Sequence, residues 1–215
     1  EIAHGAMPFA GDCAVRHMGE VLNEFEETLF PNLKKRVTEM PVIPEGAKNS
    51  TMNINSIHGG QVEPDPESNA LPSHCVPDSC RIIIDRRFLI EENVEEVKAE
   101  IENLLEGIKS RRPKFTYEVT ELNRVIPSMT DKNAPIVKSI ATSIEKVIGK
   151  SPDYVASPGS YDQKHIDRIG TLKNCIAYGP GILDLAHKPD EFVVIDDMVD
   201  SAKVMGNSLI DLLTS

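Results

Sequence analysis

Hydrophobic residues recur with a helical period in five stretches of the chain. In the first stretch the apolar residues lie three or four positions apart, the spacing of one helix face: Val15, Met18, Val21, Leu22, Phe25 and Leu29. In the second, Val94, Val97 and Ile101 share one face. The same reasoning predicts helices at 11–35, 91–110, 134–148, 162–169 and 198–213.

Between the helices, alternating or β-branched runs predict strands. Residues 51–58 alternate apolar and polar positions, and 80–89 contain the run Ile82–Ile84. Weaker patterns of the same kind predict further strands at 1–4, 114–119, 154–156 and 174–178.

The order of these elements predicts two domains, of mixed α+β and α/β class. Residues 1–124 run strand, helix, strand, strand, helix, strand, which is the split βαβ or ferredoxin-like pattern, with its first strand cut short by the chain start. In 125–215 helices alternate with short buried strands, as in a layered α/β unit. This second part is short for a complete α/β domain.

Several residues are predicted to mark where elements begin and end. Asp12 is expected to cap the first helix, and Pro31 to perturb its far end. Glu91 and Glu92 are expected in the first turn of the second helix, where the helix dipole favours anions. Prolines and glycines predict loops between elements, at 41–50, 61–72 and 178–191.

The composition excludes some classes of partner. The net charge is -11 with no basic stripe, so the chain is not expected to bind nucleic acid. No apolar run approaches the roughly 20 residues that a membrane span needs. The cysteines lack the paired spacing of a structural zinc site and are expected to be small buried thiols in a reducing cytoplasm: Cys13, Cys75, Cys80 and Cys175.

Three of the six histidines lie where loops are predicted, and loops often carry binding residues. His4 precedes a glycine-containing turn at a strand end, and His187 follows a Gly-Pro-Gly turn. His74 lies beside a strand entry, with an ordinary loop residue as the alternative. His17 and His165 fall within helices, and we expect a structural or solvent-facing role for both.

Two further patterns are typical of anion binding. Arg86 and Arg87 end a hydrophobic strand and face opposite sides of it, because strand side chains alternate. An arginine there could bind a substrate carboxylate through a bidentate fork, with a surface salt bridge as the alternative. Residues 157–162 (SPGSYD) place backbone N–H groups at the entry to a helix, which favours anions.

Four motifs, taken in order, resemble those of one enzyme family. AHGAMPFAGDCAV, the stretch from IHGG to DRR, SPGSYD and YGPGILDLAHKPDE resemble the dinuclear-zinc amidohydrolases, which include acetylornithine deacetylase, succinyl-diaminopimelate desuccinylase, aminoacylase and carboxypeptidase G. Outside the closing motif, the matching positions are His4, Pro8, Gly11, Ala14, Gly59, Gly60, Pro77, Asp85 and Arg87. Cys13 and His74 stand where the family has Asn, and Tyr161 where it has Thr, so the substrate stays open.

The resemblance implies a ferredoxin-like lid that mediates dimerisation, inserted in a zinc-binding α/β domain. It implies that His187 is a zinc ligand, and that His4 reaches a neighbouring subunit's site and stabilises the tetrahedral oxyanion. It also implies a set of substrate-binding residues: Arg87, His74, Gly159, Ser160, Tyr161, Gly179 and Gly181. The implied reaction is attack of a metal-bound hydroxide on the amide of an N-acyl amino acid or small peptide, with two zinc ions, or cobalt, as cofactor.

The family's other metal ligands and its general base are missing from this sequence. These are a His-x-Asp pair, a bridging Asp and a Glu-Glu pair, all of which precede the lid in the family. Catalytic zinc needs about three protein ligands, and the chain begins without Met. We therefore expect an inactive fragment that binds no stoichiometric zinc. The alternatives are a non-catalytic dimerisation or binding module and, within the enzyme class, a dipeptidase or carboxypeptidase.

Overall fold

The computed structural model describes residues 1–60, 67, 69, 71 and 73–214. Most of the predicted loop at 61–72 therefore lies outside the described residues. The described chain forms two compact units, the first made of 1–38 and 49–123 and the second of 39–48 and 124–215. The mixture of helices with a small sheet confirms the predicted α+β class.

The first predicted helix is present in three consecutive pieces. It comprises α1 (Ala14–Glu24), a π-helical turn (Phe25–Leu29) and α2 (Phe30–Leu33), with Pro31 in the last turn. The predicted cap is wrong: Cys13 occupies the N-cap position without a side-chain hydrogen bond. The carboxylate of Asp12 instead contacts an imidazole further along the helix.

The sheet of the first unit has two antiparallel strands, β1 (Thr51–Gly59) and β2 (Cys80–Arg87). Thr51 pairs with Arg87 at one end of this sheet. Helix α3 (Val94–Arg111) packs with α1 and the π-helical turn over one sheet face. Buried apolar residues of the helices and of the segment after α3 form the core: Val21, Phe25, Leu29, Leu33, Leu105, Ile108 and Phe115. Residues of the two strands pack against them, namely Met52, Ile54, Ile82 and Ile84.

The predicted strand at 114–119 is wrong, since these residues form no ladder with β1 or β2. The amide of Phe115 donates to the carbonyl oxygen of Arg112, which makes a turn after α3. Side-chain contacts, and not a hydrogen-bonded ladder, hold this segment against the rest of the unit. The Phe115 ring is buried and lies 5.7 Å from the ring of Tyr117, whose hydroxyl donates to Glu106 at 2.6 Å.

The start of α3 also differs from its prediction. Asn93 is the N-cap, and its side chain accepts from the amide of Glu95 at 2.9 Å. Glu91 and Glu92 thus precede the helix instead of lying in its first turn. Both carboxylates accept hydrogen bonds from side chains of other elements, which outweigh the modest attraction of the helix dipole.

The second unit is built on two helices, α4 (Pro135–Ile148) and α6 (Ile195–Thr214), which match predicted helices. They pack through small and β-branched side chains: Val137, Ser139 and Ser143 of α4 against Ser201, Val204 and Ser208 of α6. The short helix α5 (Gln163–Gly170) also matches its prediction. Several large apolar residues of α6 are exposed, namely Ile195, Met198, Leu209, Ile210 and Leu213.

The predicted strands at 154–156 and 174–178 form no ladder in the described chain. The first makes an isolated parallel bridge between Ala156 and Val42. In the second, side chains satisfy backbone groups: Thr130 and Gln163 both donate to the carbonyl oxygen of Cys175 at 2.5 Å. A buried apolar run forms a strand only where a partner strand can pair with its backbone N–H and C=O groups.

Two further expectations concern surface chemistry. All four cysteines are free, but none is fully buried and Cys75 is exposed, so the prediction of buried thiols is wrong. Among the described residues, no helix combines the length and the apolar character needed to cross a bilayer.

Candidate functional site

The structure brings His4 and His74 together, although they are far apart in sequence. His4 forms an antiparallel bridge with Cys75. Backbone hydrogen bonds on both sides fix this bridge, from Gly5 N to His74 O at 2.6 Å and from Val76 N to Ala3 O at 2.7 Å. The two histidines line one open cavity of about 560 Å³, together with Gly5, Ala6, Ser73 and Cys75.

The hydrogen bonds of His4 define its neutral tautomer. The amide of Ala6 donates to Nδ1 of His4 at 3.1 Å. Because Nδ1 is then an acceptor, the ring proton of the neutral imidazole lies on Nε2. His4 is exposed, so this Nε2–H can donate to a group that enters the cavity.

A second cavity of about 380 Å³ lies beside the first and is lined by Asp12 and His17. Nε2 of His17 lies 2.7 Å from Oδ2 of Asp12. This hydrogen bond lowers the pKa of the Asp12 carboxyl below its usual range. The ring of His17 also packs 5.6 Å from that of Phe115, so the pair anchors the segment that follows His4 to the core.

Arg87 lies away from the two histidines. It ends β2, whereas His74 is linked by a short segment to Cys80 at the other end. Seven residue steps of strand separate Cys80 from Arg87, a distance of about 23 Å. The guanidinium of Arg87 donates to Oδ2 of Asp85 twice, from Nε at 3.0 Å and from Nη2 at 2.6 Å. A surface salt bridge is the alternative interpretation for this arginine, and the pairing with Asp85 leaves the Nη1 group of Arg87 turned away from Asp85.

Behind Arg87 lies a group of partly buried charges that the sequence reasoning missed. Arg86 is 8% exposed and binds Glu92 at 3.0 Å and Glu100 at 3.4 Å. Arg36 binds the same two carboxylates, with 2.9 Å to Glu92. The signal was present in the sequence, because alternation along β2 places one of two consecutive arginines on the helix side, where a charge needs carboxylate partners.

The environment of Glu92 keeps its carboxyl ionised. Burial is the largest influence and by itself raises the pKa of Glu92. Hydrogen bonds from Ser50, from the amide of Leu89 and from Arg36, with the charge of Arg86, outweigh it and lower the pKa of Glu92 to about 2. We name the cluster of Arg36, Arg86, Glu92 and Glu100 the four-charge network.

In the SPGSYD segment of the second unit, polar groups form hydrogen bonds with one another. The hydroxyls of Ser157 and Tyr161 lie 2.9 Å apart, and the amide of Gly159 donates to Ser157 at 3.2 Å. A Cβ atom at Gly159 would lie 3.3 Å from the Tyr161 ring. Ser160 accepts from Lys164 at 2.7 Å. The Gly159 amide is therefore already used, and the predicted anion site there needs other donors.

His187 lies in an exposed loop whose backbone is unusual. It follows a short 3-10 turn (Leu183–Leu185) and has a φ of 63°, in the left-handed region. Its amide donates to the carboxylate of Glu191 at 3.2 Å. Gly181 has a φ of 110°, which favours glycine, whereas Gly179 precedes it in open space. The loop therefore exposes the His187 imidazole to solvent, while the hydrogen bond to Glu191 holds the His187 backbone.

The described residues do not assemble a complete metal centre. They contain no group of three or more His, Cys, Asp or Glu side chains close enough to hold an ion. His187 is a donor type that zinc accepts, but one imidazole falls short of the roughly three protein ligands of catalytic zinc. The described residues alone therefore do not provide the ligands for a catalytic step through a metal.

Residues 1–113 match the family model described as the peptidase dimerisation domain of the M20 peptidases. This match identifies the first part of the chain as a dimerisation domain of a peptidase family. Since it covers more than half of the 215 residues, the chain belongs to the M20 peptidase family.

Curated relatives bear the names of deacylases. The chain is 25% identical over 166 residues to succinyl-diaminopimelate desuccinylase of Hydrogenovibrio crunogenus, covering 77% of this chain and 39% of the relative. It is 21% identical over 206 residues to acetylornithine deacetylase of Myxococcus xanthus, covering 96% of this chain and 48% of the relative. The chain thus spans less than half the length of these two relatives.

Solved structures confirm the fold. An M20 family metallo-carboxypeptidase from Sulfolobus solfataricus superimposes with a TM-score of 0.66 at 14% identity, over 97% of this chain and 54% of that one. Human carnosine dipeptidase 1 gives a TM-score of 0.66 at 14% identity, over 100% of this chain and 52% of that one. These similarities confirm the predicted mixed helix-and-sheet fold, with a dimerisation domain in its first part.

Proposed function

We propose that this chain is the lid and the C-terminal part of the catalytic domain of a zinc-dependent hydrolase. The longer protein would cleave the amide bond of N-acyl amino acids or small peptides, in the cytoplasm. Membership of the M20 family supports the reaction class. The names of two relatives, a desuccinylase and a deacetylase, support an acyl amide as substrate.

The observation that carries the proposal is the fixed pairing of His4 with His74. Two backbone hydrogen bonds hold the loop of His4 against that of His74, and Nε2–H of His4 is free to donate. A fixed N–H donor beside an amide carbonyl stabilises the negative charge that develops on its oxygen. We assign this role to His4, and a polar contact with the substrate to His74.

The position of Arg87 supports a homodimer. One small substrate cannot contact both His4 and Arg87 of the same lid, since about 23 Å of strand lies between the two ends of β2. We infer that Arg87 binds the substrate carboxylate in its own subunit, and that His4 and His74 serve the site of the partner subunit. A dimerisation domain is consistent with a site that takes residues from both subunits.

The second unit would supply the remaining contacts. His187 is the proposed zinc ligand, and its fixed backbone suits that task. Gly159, Ser160, Tyr161, Gly179 and Gly181 would line the substrate. Two zinc ions, or cobalt, bound by the longer protein would polarise the scissile carbonyl and lower the pKa of water. The 215-residue chain alone would be inactive and bind no stoichiometric zinc.

The test is an assay of the longer protein with zinc. Hydrolysis of N-acyl amino acids, together with a drop in kcat of about 100-fold or more for His4→Ala, is the expected result. His58→Ala is the matched control, since His58 is exposed on β1 and has no assigned role. Zinc-independent activity, or equal kcat values for His4→Ala and the unsubstituted protein, would refute the proposal.

Two alternatives have support of their own. Carboxypeptidase and dipeptidase structures superimpose on the chain, which favours a peptidase. Faster turnover of dipeptides than of N-acyl amino acids would select that alternative. A non-catalytic dimerisation module is favoured by the single imidazole in the described part of the candidate metal site. A longer protein that dimerises but lacks any hydrolase activity would select it.

A further inference from the structure

Arg86 and Arg87 end the same strand but lie in opposite environments. Arg86 faces the helices with 8% of its side chain exposed, whereas Arg87 faces solvent with 55% exposed. Consecutive residues of a strand share a peptide unit, so a constraint on one backbone is felt by the other. Whatever fixes Arg86 therefore also fixes the base of the Arg87 side chain.

The four-charge network fixes Arg86 from several elements at once. Glu92 precedes α3, Glu100 lies within α3, and Arg36 follows α2. Ser50 donates to Glu92 from the residue before β1. Two guanidinium groups and two carboxylates balance in charge. Ion pairs removed even in part from solvent add little net stability over apolar side chains of the same shape, so stability alone is a weak reason for them.

One contact connects this network to Arg87, and a second contact, outside the network, orients the Arg87 side chain. Nη1 of Arg86 donates to the backbone carbonyl oxygen of Arg87. On the solvent side, Asp85 accepts from Nε and Nη2 of Arg87. The carbonyl contact fixes the backbone of Arg87, and the Asp85 contact fixes the plane of its guanidinium. The Nη1 group and the second Nη2 proton are left to face a ligand.

We propose that Arg86, held by Glu92 and Glu100, is a positioning residue that presents the Arg87 guanidinium to a carboxylate ligand. The inference rests on the proposed function for its ligand, since that proposal gives Arg87 the substrate carboxylate. Planar bidentate recognition tolerates little error in orientation. Arg86 touches no substrate in this scheme and acts through the backbone and orientation of Arg87.

The first experiment measures the mobility of Arg87 directly in the 215-residue chain. NMR would follow solvent exchange of the Arg87 Nε–H in the unsubstituted chain, in Arg86→Met and in Arg111→Met. Arg111→Met is the matched control, because Arg111 also pairs with a glutamate, Glu24, but on the surface and far along α3. We expect exchange about tenfold faster in Arg86→Met and unchanged in the control. Unchanged exchange in a folded Arg86→Met would overturn the inference.

A second variant covers the case in which Arg86→Met does not fold. Glu100→Gln keeps the shape of the side chain and removes one charge of the network. It is expected to speed the same exchange about threefold or more, without loss of the circular dichroism of the helices. An Arg87 signal identical to that of the unsubstituted chain in Glu100→Gln would count against the inference.

The second experiment uses kinetics of the longer protein with a carboxylate substrate and its carboxamide analogue. Arg86→Met should raise KM about tenfold for the carboxylate alone and leave kcat for the carboxamide unchanged, with Arg86→Lys restoring part of the loss. Equal KM increases for both substrates would indicate a merely structural role and refute the inference. If Arg87→Ala does not alter the carboxylate preference while exchange still responds to Arg86→Met, the ligand assignment fails and the positioning of Arg87 stands.

Discussion

The backbone amide of Gly5 donates to the carbonyl oxygen of His74 across 2.6 Å. A Cβ atom at Gly5 would lie 2.4 Å from that same oxygen, closer than any carbon side chain can approach. Glycine is therefore required at this position for the two loops to meet. The pairing of His4 with His74 depends on the absence of a side chain next to His4.

Replacement of Gly5 should separate the two loops. In Gly5→Ala the methyl group has to push the His74 backbone away, so the bridge between His4 and Cys75 should break. Hydrogen exchange of the Gly5 and Val76 amides should rise, with a loss of about 1–3 kcal/mol in the free energy of unfolding. Gly19→Ala is the control, because nothing lies within 4 Å of a Cβ atom there. Protected amides in Gly5→Ala would contradict the prediction.

Acid should destabilise the first unit through Glu92. The folded state lowers the pKa of Glu92 to about 2, from an ordinary value of 4.5. A lowered pKa stabilises the fold fully above pH 4.5, and this contribution is lost as the pH falls towards 2. Its size is about 3 kcal/mol. Urea unfolding between pH 6 and pH 2.5, with and without Glu92→Gln, would measure it.

Glu102→Gln serves as the matched control for that pH series. Glu102 is half-exposed and its carboxylate lies 4.0 Å from Lys98, a surface pair of the kind that contributes little to stability. The slope of unfolding free energy against pH should flatten in Glu92→Gln and stay unchanged in Glu102→Gln. Equal slopes in the two variants would show that the network around Glu92 does not hold its charge.

The core beneath the sheet should be sensitive to loss of volume. Ile108 is 0% exposed and packs in the cluster that joins α1 to α3. Ile108→Ala should lower the free energy of unfolding by about 2–5 kcal/mol, through lost burial and the cavity left behind. Leu122→Ala, at a position that is 65% exposed, should change it by less than about 0.5 kcal/mol. Denaturant midpoints of the two variants and the unsubstituted chain, compared at equal m-values, would test both expected changes in unfolding free energy.

Metal binding should depend on His187 in the longer protein. His187→Ala should reduce the zinc content of the purified longer protein and weaken zinc affinity by about 10-fold or more. His165→Ala is the control, since His165 is an exposed residue of α5. Elemental analysis after dialysis gives the readout, and the 215-residue chain alone should retain no stoichiometric zinc. Full zinc occupancy in His187→Ala would remove His187 from the ligand set.

The helices of this fold follow from local sequence. The apolar spacing of α1, α3, α4, α5 and α6 predicts each of them to within a few residues, because the helical period is a property of one segment. Local reasoning failed at two helix starts. Asp12 binds His17, and Glu92 binds arginines from other elements, so tertiary partners replaced the expected capping and dipole interactions.

The strands depend on partners that a local pattern does not show. β1 alternates clearly, β2 contains the β-branched run Ile82–Ile84, and the two strands pair with each other. The stretch at 114–119 has the same alternation, yet it is held by the buried ring of Phe115 and the hydroxyl of Tyr117. At 174–178 the hydroxyl of Thr130 forms hydrogen bonds with the backbone N–H and C=O of Cys175, which a neighbouring strand would otherwise bind.

The candidate site followed from motif order more than from spacing. Resemblance named His4, His74 and Arg87, and the structure adds that the first two share a cavity while the third lies at the other end of β2. Their roles in binding and catalysis stay predictions. The four-charge network required the fold, since its members come from three stretches of the chain, around Arg36, around Arg86 and at 92–100.

The excursion of residues 39–48 into the second unit has a practical consequence for dividing the protein. Its two ends meet in the first unit, where Val37 and Asn49 form an antiparallel bridge and Ser50 N donates to Arg36 O at 3.2 Å. A cut at residue 124 alone would leave this excursion without its packing partners. Replacing 39–48 by a tight Asn-Gly turn would close the gap and yield an excised first unit suited to independent expression.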